Sequence, residues 1–127
     1  MRLLLDTQIL IWSIAQPRRL PDRALALIED RGNTKLFSAA SIWEVAIKRA
    51  LGRPDFDLDP LVLANTARLD FLELTVTSAA AARVVDLPRH HRDPFDRLLV
   101  AQALDEDAYL LTADRVLSAY SPLVLLV

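Results

Sequence analysis

The sequence predicts an α/β domain with a mainly parallel central sheet flanked by helices, and three observations lead there. Short apolar runs alternate with segments of helical periodicity from one end of the chain to the other. The runs Leu3 to Leu5, Tyr109 to Thr112 and Leu123 to Val127 are continuously apolar, as in strands buried on both faces, where one solvated face would give alternation. The 127 residues contain no repeat, linker or low-complexity stretch, so residues 1–127 are read as one domain.

Each element follows from local chemistry. Leu3 to Leu5 is a strand ended by Asp6, and Thr7 to Gln16 is a helix stopped by Pro17. A second helix runs from Pro21, a good first-turn residue, to Arg31, with Gly32 as its stop. Lys35 to Ala39 is a short strand. Ser41 opens a helix that carries Ile42, Trp43, Val45, Ala46, Ile47, Ala50 and Leu51 before Gly52 ends it. After the acidic, proline-bounded loop RPDFDLDP, Leu61 to Leu69 is helix, Leu72 to Val76 strand, and Ser78 to Leu87 an alanine-rich helix. Pro94 to Asp105 is helical, Tyr109 to Thr112 is an apolar strand, and Leu123 to Val127 is a final buried strand.

Composition narrows the chemistry. At 53% hydrophobic and 25% charged residues the chain is a folded globule, not a disordered one. Cysteine is absent, which removes disulfides, thiolate nucleophiles and cysteine-built zinc sites and fits a reducing cytoplasm. No apolar run approaches the roughly 18 residues of a membrane span, and MRLLLD is too short for a signal-peptide core. A cytoplasmic protein without membrane contact is expected. The net charge of −2 offers no global attraction to nucleic acid, so RNA or DNA binding requires local basic patches.

Carboxylates stand out by position. In open parallel sheets the functional crevice lies beyond the carboxyl ends of the strands, where Asp6 and Asp114 each follow an apolar run. Turn or cap chemistry explains either one alone. On the helix after Pro94, Asp96 falls among Phe95, Leu99, Val100 and Ala103 on the apolar arc, and Asp93 already holds the cap position. Asp96 is therefore redundant as a cap. Glu44 has a structural account, because Ser41 to Glu44 matches a capping box and Lys48 is its i, i+4 partner. It also borders the apolar arc beside Ile47 and Leu51. Two such charges ~5 Å apart repel by about 3 kcal/mol at an effective dielectric of about 20. If Asp6, Glu44, Asp96 and Asp114 converge, they need raised pKa values or a hard cation, for which an all-oxygen set fits Mg²⁺ or Mn²⁺.

The blocks LLLDT at 3–7, SAASIWEVAIKRALG at 38–52, HHRDPFDRLLVAQA at 90–103 and LLTAD at 110–114 resemble the PIN-domain family, most closely the VapC-type toxins of prokaryotic toxin–antitoxin pairs. The resemblance covers nearly the whole chain in family order and spacing. It implies a small Rossmann-like sandwich and a metal-dependent endoribonuclease, with the family's acidic quartet on Asp6, Glu44, Asp96 and Asp114. Thr7 and Thr112 match supporting polar positions, whereas Gln8 departs from the smaller or imidazole side chain often found after the DT pair. On this reading Asp6, Asp96 and Asp114 hold Mg²⁺ directly or through water, and Glu44 binds a second ion or orients the attacking water. In-line hydrolysis would leave a 5′-phosphate and a 3′-hydroxyl.

Arg89, Arg92, Arg97 and Arg115 are candidates for flanking phosphates, with surface solvation as the ordinary account of any one of them. Lys48, Arg49 and Arg53 suit a helix C-terminus. His90 and His91 are assigned to the loop, outside the metal site, because Mg²⁺ prefers oxygen. The first helix places Ile9 and Trp12 on its polar side, which marks either an interface or a neighbour within the domain. The resemblance favours an apolar groove for an antitoxin segment, and a homodimer.

Other function classes remain open. A domain of this fold that only binds RNA or a partner is one. A phosphoacceptor signalling domain is another, although it needs a lysine after a late strand and none follows Lys48. An aspartate-nucleophile phosphatase would show DxDxT where this chain has DTQIL.

Overall fold

The computed structural model describes all residues 1–127. Five strands, β1 (Arg2–Leu5), β2 (Thr34–Ser38), β3 (Leu72–Leu74), β4 (Tyr109–Thr112) and β5 (Val124–Leu126), form one sheet in the order β3-β2-β1-β4-β5. Every pairing is parallel. Six α-helices connect them: α1 (Thr7–Ala15), α2 (Asp22–Glu29), α3 (Ala39–Ala50), α4 (Pro60–Ala67), α5 (Ser78–Arg83) and α6 (Pro94–Asp105). None is long and apolar enough to cross a membrane.

Register explains the continuous apolar runs. Leu4 pairs with Leu36 and Leu110, and Leu110 with Val124, which puts all four on one face. Leu5, Phe37, Leu111 and Leu125 line the other. The first row packs with Leu87, Leu99, Val100 and Ala103 beneath α6. The second packs with Ile9, Leu10, Val45, Leu63 and Ala67 from α1, α3 and α4. β1 is thus sealed above and below, and Leu3, Leu4 and Leu5 are fully buried.

Strand order reverses direction at β1, because the chain proceeds outward through β2 and β3 and then returns to place β4 on the opposite side. The crevice beyond the carboxyl ends of β1 and β4 is therefore the switch point of the sheet. Asp6 follows β1 there, and Asp114 lies two residues past β4.

Three expectations change. The helix of residues 39–50 starts earlier than Ser41: Ser38 is its cap, accepting from the Ala40 amide at 3.0 Å, and Ser41 is buried within it. The capping-box account of Glu44 therefore fails. Trp43 and Leu51, read as part of that helix's apolar set, are exposed, because its buried face turns on Ala40, Ser41, Glu44 and Val45. Finally, Ile9 is fully buried in the core, and the half-buried Trp12 packs beside it with the Arg19 guanidinium 5.2 Å from its ring centre. Neighbours within the domain cover this face, so Ile9 is no interface residue.

Gly52 does what its position requires. Its φ of 73° is left-handed, and the bonds from Gly52 N to Arg49 O and from Arg53 N to Lys48 O close α3. The core placement of Ile9 is testable by urea denaturation: Ile9→Ala should lose ~2–5 kcal/mol of stability. A loss below about 1 kcal/mol would return Ile9 to the surface.

Candidate active site at the carboxyl edge of the sheet

Asp6 caps α1. Its Oδ1 accepts from the Ile9 amide at 2.7 Å, and its Oδ2 accepts from Thr112 Oγ1 at 2.5 Å. Thr112 in turn accepts from the Asp114 amide at 3.0 Å, so one hydroxyl links the ends of β1 and β4. Asp114 uses Oδ1 to accept from the Val116 amide at the 3₁₀ turn Arg115–Ala119. Its Oδ2 lies 3.0 Å from His91 Nε2. Both aspartates are caps, and each sets its second oxygen against a side chain, Thr112 for Asp6 and His91 for Asp114.

Asp96 is placed by a division of labour at the start of α6. Asp93 caps that helix, accepting from the Phe95 amide at 2.9 Å. Asp96, one turn in, has no backbone partner of its own, and its Oδ2 faces His91 Nε2 at 3.4 Å. Its redundancy as a cap, read from spacing, corresponds to this geometry.

Glu44 is buried on α3, where Oε1 accepts from Thr7 Oγ1 at 2.6 Å and Oε2 pairs with Lys48 Nζ at 2.5 Å. Thr7 also lies 2.9 Å from Ser41 Oγ. Lys48 reaches Asp93 at 3.4 Å and sits over the rings of Phe56 and Phe95. Burial tends to lower its pKa, but the hydrogen bond and charge of Glu44, with Asp93 behind it, push it above the usual lysine value.

Asp6, Glu44, Asp96 and Asp114 all line one cleft of about 360 Å³, together with Thr7, Lys48 and Asp93. The tightest constellation within this region differs from the expected quartet. His91, Asp96 and Asp114 bring one ligand-type atom each within 4.8 Å of one another, while Asp6 and Glu44 stand on the cleft wall outside that group.

His91, assigned to the loop by sequence, is thus brought against two of the four carboxylates. Its Nδ1 accepts from the Asp93 amide at 3.0 Å, which leaves the ring proton on Nε2, aimed at Asp114 and Asp96. The ring supplies an N–H where two anions approach, and in this tautomer it has no lone pair there for a metal. His90 packs edge-on against Tyr120 and takes no part. Lys48 and Arg53, read as helix-end charges, line the cleft as well. The HxD spacing of His91 and Asp93 was the only available signal for the histidine, and a helix-start reading hides it.

Crowding of anions shows in the acidities. Burial, opposed by the Thr112 and Ile9 hydrogen bonds and reinforced by Glu44 and Asp114, raises Asp6 to about 6. Burial, with Asp93, Glu44 and Asp6 adding to it and His91 opposing, raises Asp96 to about 7. Oxygen donors raised toward neutral acidity by burial, with neighbouring carboxylates adding to it, are suited to a hard divalent cation. Two further features fit it, namely the open cleft and the two capping aspartates, each with one oxygen uncommitted to backbone.

A small, all-parallel α/β domain with acidic side chains gathered at its switch point defines the class of protein. The PIN domain profile matches residues 3–121, and the chain belongs to the PIN domain family. No curated protein sequence matches it. Among solved structures it is similar to VapBC2 from Rickettsia felis bound to a promoter DNA fragment, with TM-score 0.69, 16% identity, and coverage of 99% of this chain and 97% of that one. It is also similar to a toxin-antitoxin complex from Klebsiella pneumoniae, with TM-score 0.65, 19% identity, and coverage of 97% and 95%. A third likeness is to FitAB bound to the IR36 DNA fragment, with TM-score 0.50, 20% identity, and coverage of 88% and 85%. At these identities the likeness is one of fold.

The raised acidities set a pH dependence with a definite sign. The folded Asp6 and Asp96 retain protons that the unfolded chain releases near 3.8, so stability falls as pH rises through the window from about 4 to 7. In chelator, thermal unfolding should therefore occur at higher temperature at pH 5 than at pH 8. Asp96→Asn should flatten that dependence and stabilise the protein at pH 8 by a few kcal/mol, at ~1.4 kcal/mol per pKa unit. An unfolding temperature that rises steadily from pH 5 to 8 contradicts this account.

Proposed function

We propose that this PIN domain is a metal-dependent endoribonuclease, the VapC-type toxin of a type II toxin–antitoxin pair, which hydrolyses RNA phosphodiesters. The observation that carries the proposal is the placement of Asp6, Glu44, Asp96 and Asp114 around one cleft at the switch point of the sheet. The family and the toxin-antitoxin assemblies among its structural relatives support it.

Asp6, Asp96 and Asp114 are the residues that would hold Mg²⁺, or Mn²⁺. Bound there, the ion supplies Lewis acidity toward a phosphoryl oxygen and acidifies water toward the hydroxide needed for attack. The protein's own side chains do the rest. Asp6 and Asp114 are each held at one oxygen by a helix cap and at the other by Thr112 or His91, which fixes both carboxylates. Thr112 locks their spacing. Glu44, oriented by Thr7, has its second oxygen matched by Lys48, so it suits the positioning of water or of a second ion. His91 Nε2–H holds Asp114 Oδ2 at 3.0 Å, opposite the cap bond on Oδ1. In-line displacement at phosphorus then leaves a 5′-phosphate and a 3′-hydroxyl.

The proposal also assigns a cognate antitoxin and a homodimer. An antitoxin partner draws support from the assemblies of the structural relatives. Of the apolar side chains exposed near the centre, Trp43 packs edge-on against Phe95 at 5.2 Å and borders a hollow with Val84, Pro94 and Leu98. This patch replaces the Ile9 face as the place where a partner would seat.

Purified protein incubated with single-stranded RNA should yield 5′-phosphorylated fragments with Mg²⁺ and none with excess chelator. Asp6→Ala and Asp96→Asn should lower the rate by at least about 100-fold while leaving the far-ultraviolet circular dichroism unchanged. Folded variants that cleave at the wild-type rate would sink the proposal. A wild type that binds RNA but cleaves none with either metal identifies a binding domain of the same fold.

A further inference from the structure

We propose that the cavity lined by Arg89, His91, Arg92 and Arg97 is a phosphate subsite that grips the RNA strand on one side of the carboxylate centre. It deepens the nuclease reading and rests on it for the identity of the anion.

The cavity has a volume of about 430 Å³, and no carboxylate belongs to its lining. In a chain of net charge −2 three arginines gather here, yet none of them appears in any ion pair of the structure. Surface solvation suits a single arginine, but three unpaired ones around one hollow concentrate positive potential where an anion fits. Arg97 is fixed in advance: its Nη2 donates to the Val84 and Leu87 carbonyls at 3.1 and 3.2 Å, and its buried Nε has no acceptor. The loop bearing Arg89 and Arg92 is tied down as well. The His91 amide donates to Tyr120 Oη at 2.8 Å, and the His90 ring rests edge-on against the same tyrosine.

His91 is the wall shared with the centre. It lines the cavity while its Nε2 meets Asp114 and Asp96, so an anion seated here lies one residue away from the carboxylates. That is the placement of a neighbouring phosphate on the same strand. Guanidinium groups bind phosphate through paired N–H donors, which suits this lining better than a lysine patch would.

The other flank of the cleft differs. There Arg49 and Arg53 border a hollow that also carries Asp57, and Asp55 sits on the cleft wall beside Arg53. Interleaved carboxylates offset those arginines, so the grip is one-sided. Arg115, also considered from sequence, does not line the basic cavity.

The test reads binding without turnover. Fluorescence anisotropy of a labelled single-stranded RNA 12-mer is followed in chelator, across a salt series, with the full chain. Arg89 and Arg92 are both exposed, so Arg89→Ala/Arg92→Ala should fold as the wild type does. It should weaken binding by about tenfold or more near 0.1 M salt. The slope of log affinity against log salt should become shallower by about 1.4, or ~0.7 for each phosphate that is no longer neutralised. Arg49→Ala, at an exposed arginine outside the carboxylate cleft, should change affinity by less than about threefold. Equal affinity and slope for the Arg89/Arg92 variant and the wild type overturn the subsite, as does a larger loss in the Arg49 variant. A wild type that shows this arginine dependence yet cleaves nothing with Mg²⁺ supports the subsite while overturning the nuclease reading.

Discussion

Carboxylates that burial and mutual repulsion hold near neutral acidity are the constraint on which this structure turns. Asp6 and Asp96 both lie well above the ordinary aspartate value, with desolvation as the leading cause and neighbouring carboxylates adding to it. Such an arrangement costs stability in the absence of a cation, and natural sequences retain destabilising arrangements at functional sites. Lys48 and His91 moderate the repulsion, one against Glu44 and Asp93, the other against Asp96 and Asp114. Their presence explains how the fold tolerates the crowding.

The parallel sheet supplies the rest of the tolerance. Every strand points the same way, so the helices that follow β1 and β2 start at the same edge, and α6 starts beside them. The N-terminal amides of α1 and α6 turn toward the cleft through Asp6 and Asp93. Helix starts favour anions by ~0.3–1 kcal/mol each when exposed, and by more when partly buried. The topology that buries β1 on both faces is also the one that makes an anionic cluster at its end tolerable.

Much of this was legible from residue type and order. Continuous apolar runs named three of the strands to within about a residue, because burial on both faces leaves few polar positions to confuse the period. Asp96 stood out for a local reason, since Asp93 already occupied the cap. Glu44 was harder. Its capping-box account rested on Ser41, and only the cap at Ser38 shows that the box does not exist. Helix boundaries shift by two or three residues when several polar side chains compete for the cap, and here Ser38 and Ser41 both qualified. His91 and Ile9 depended on tertiary neighbours. Nothing local reveals that residue 91 meets Asp114, 23 positions later, or that α4 covers the side of α1 on which Ile9 lies.

The way each aspartate is held explains why the three suit different duties. Asp6 and Asp114 each commit one oxygen to a backbone amide three or two residues ahead, which removes side-chain freedom and fixes the direction of the other oxygen. Asp96 makes no such bond, because Asp93 has taken the cap of the same helix. It therefore has both oxygens uncommitted to backbone, and burial, with the neighbouring carboxylates adding to it, raises its pKa to about 7. In the proposed centre the rigid carboxylates would set the position of an ion, and the uncommitted one is the side chain left to adjust to it. Exchanging the roles, by moving the cap from Asp93 to Asp96, would shorten α6 by a turn and withdraw the one side chain that the centre can recharge.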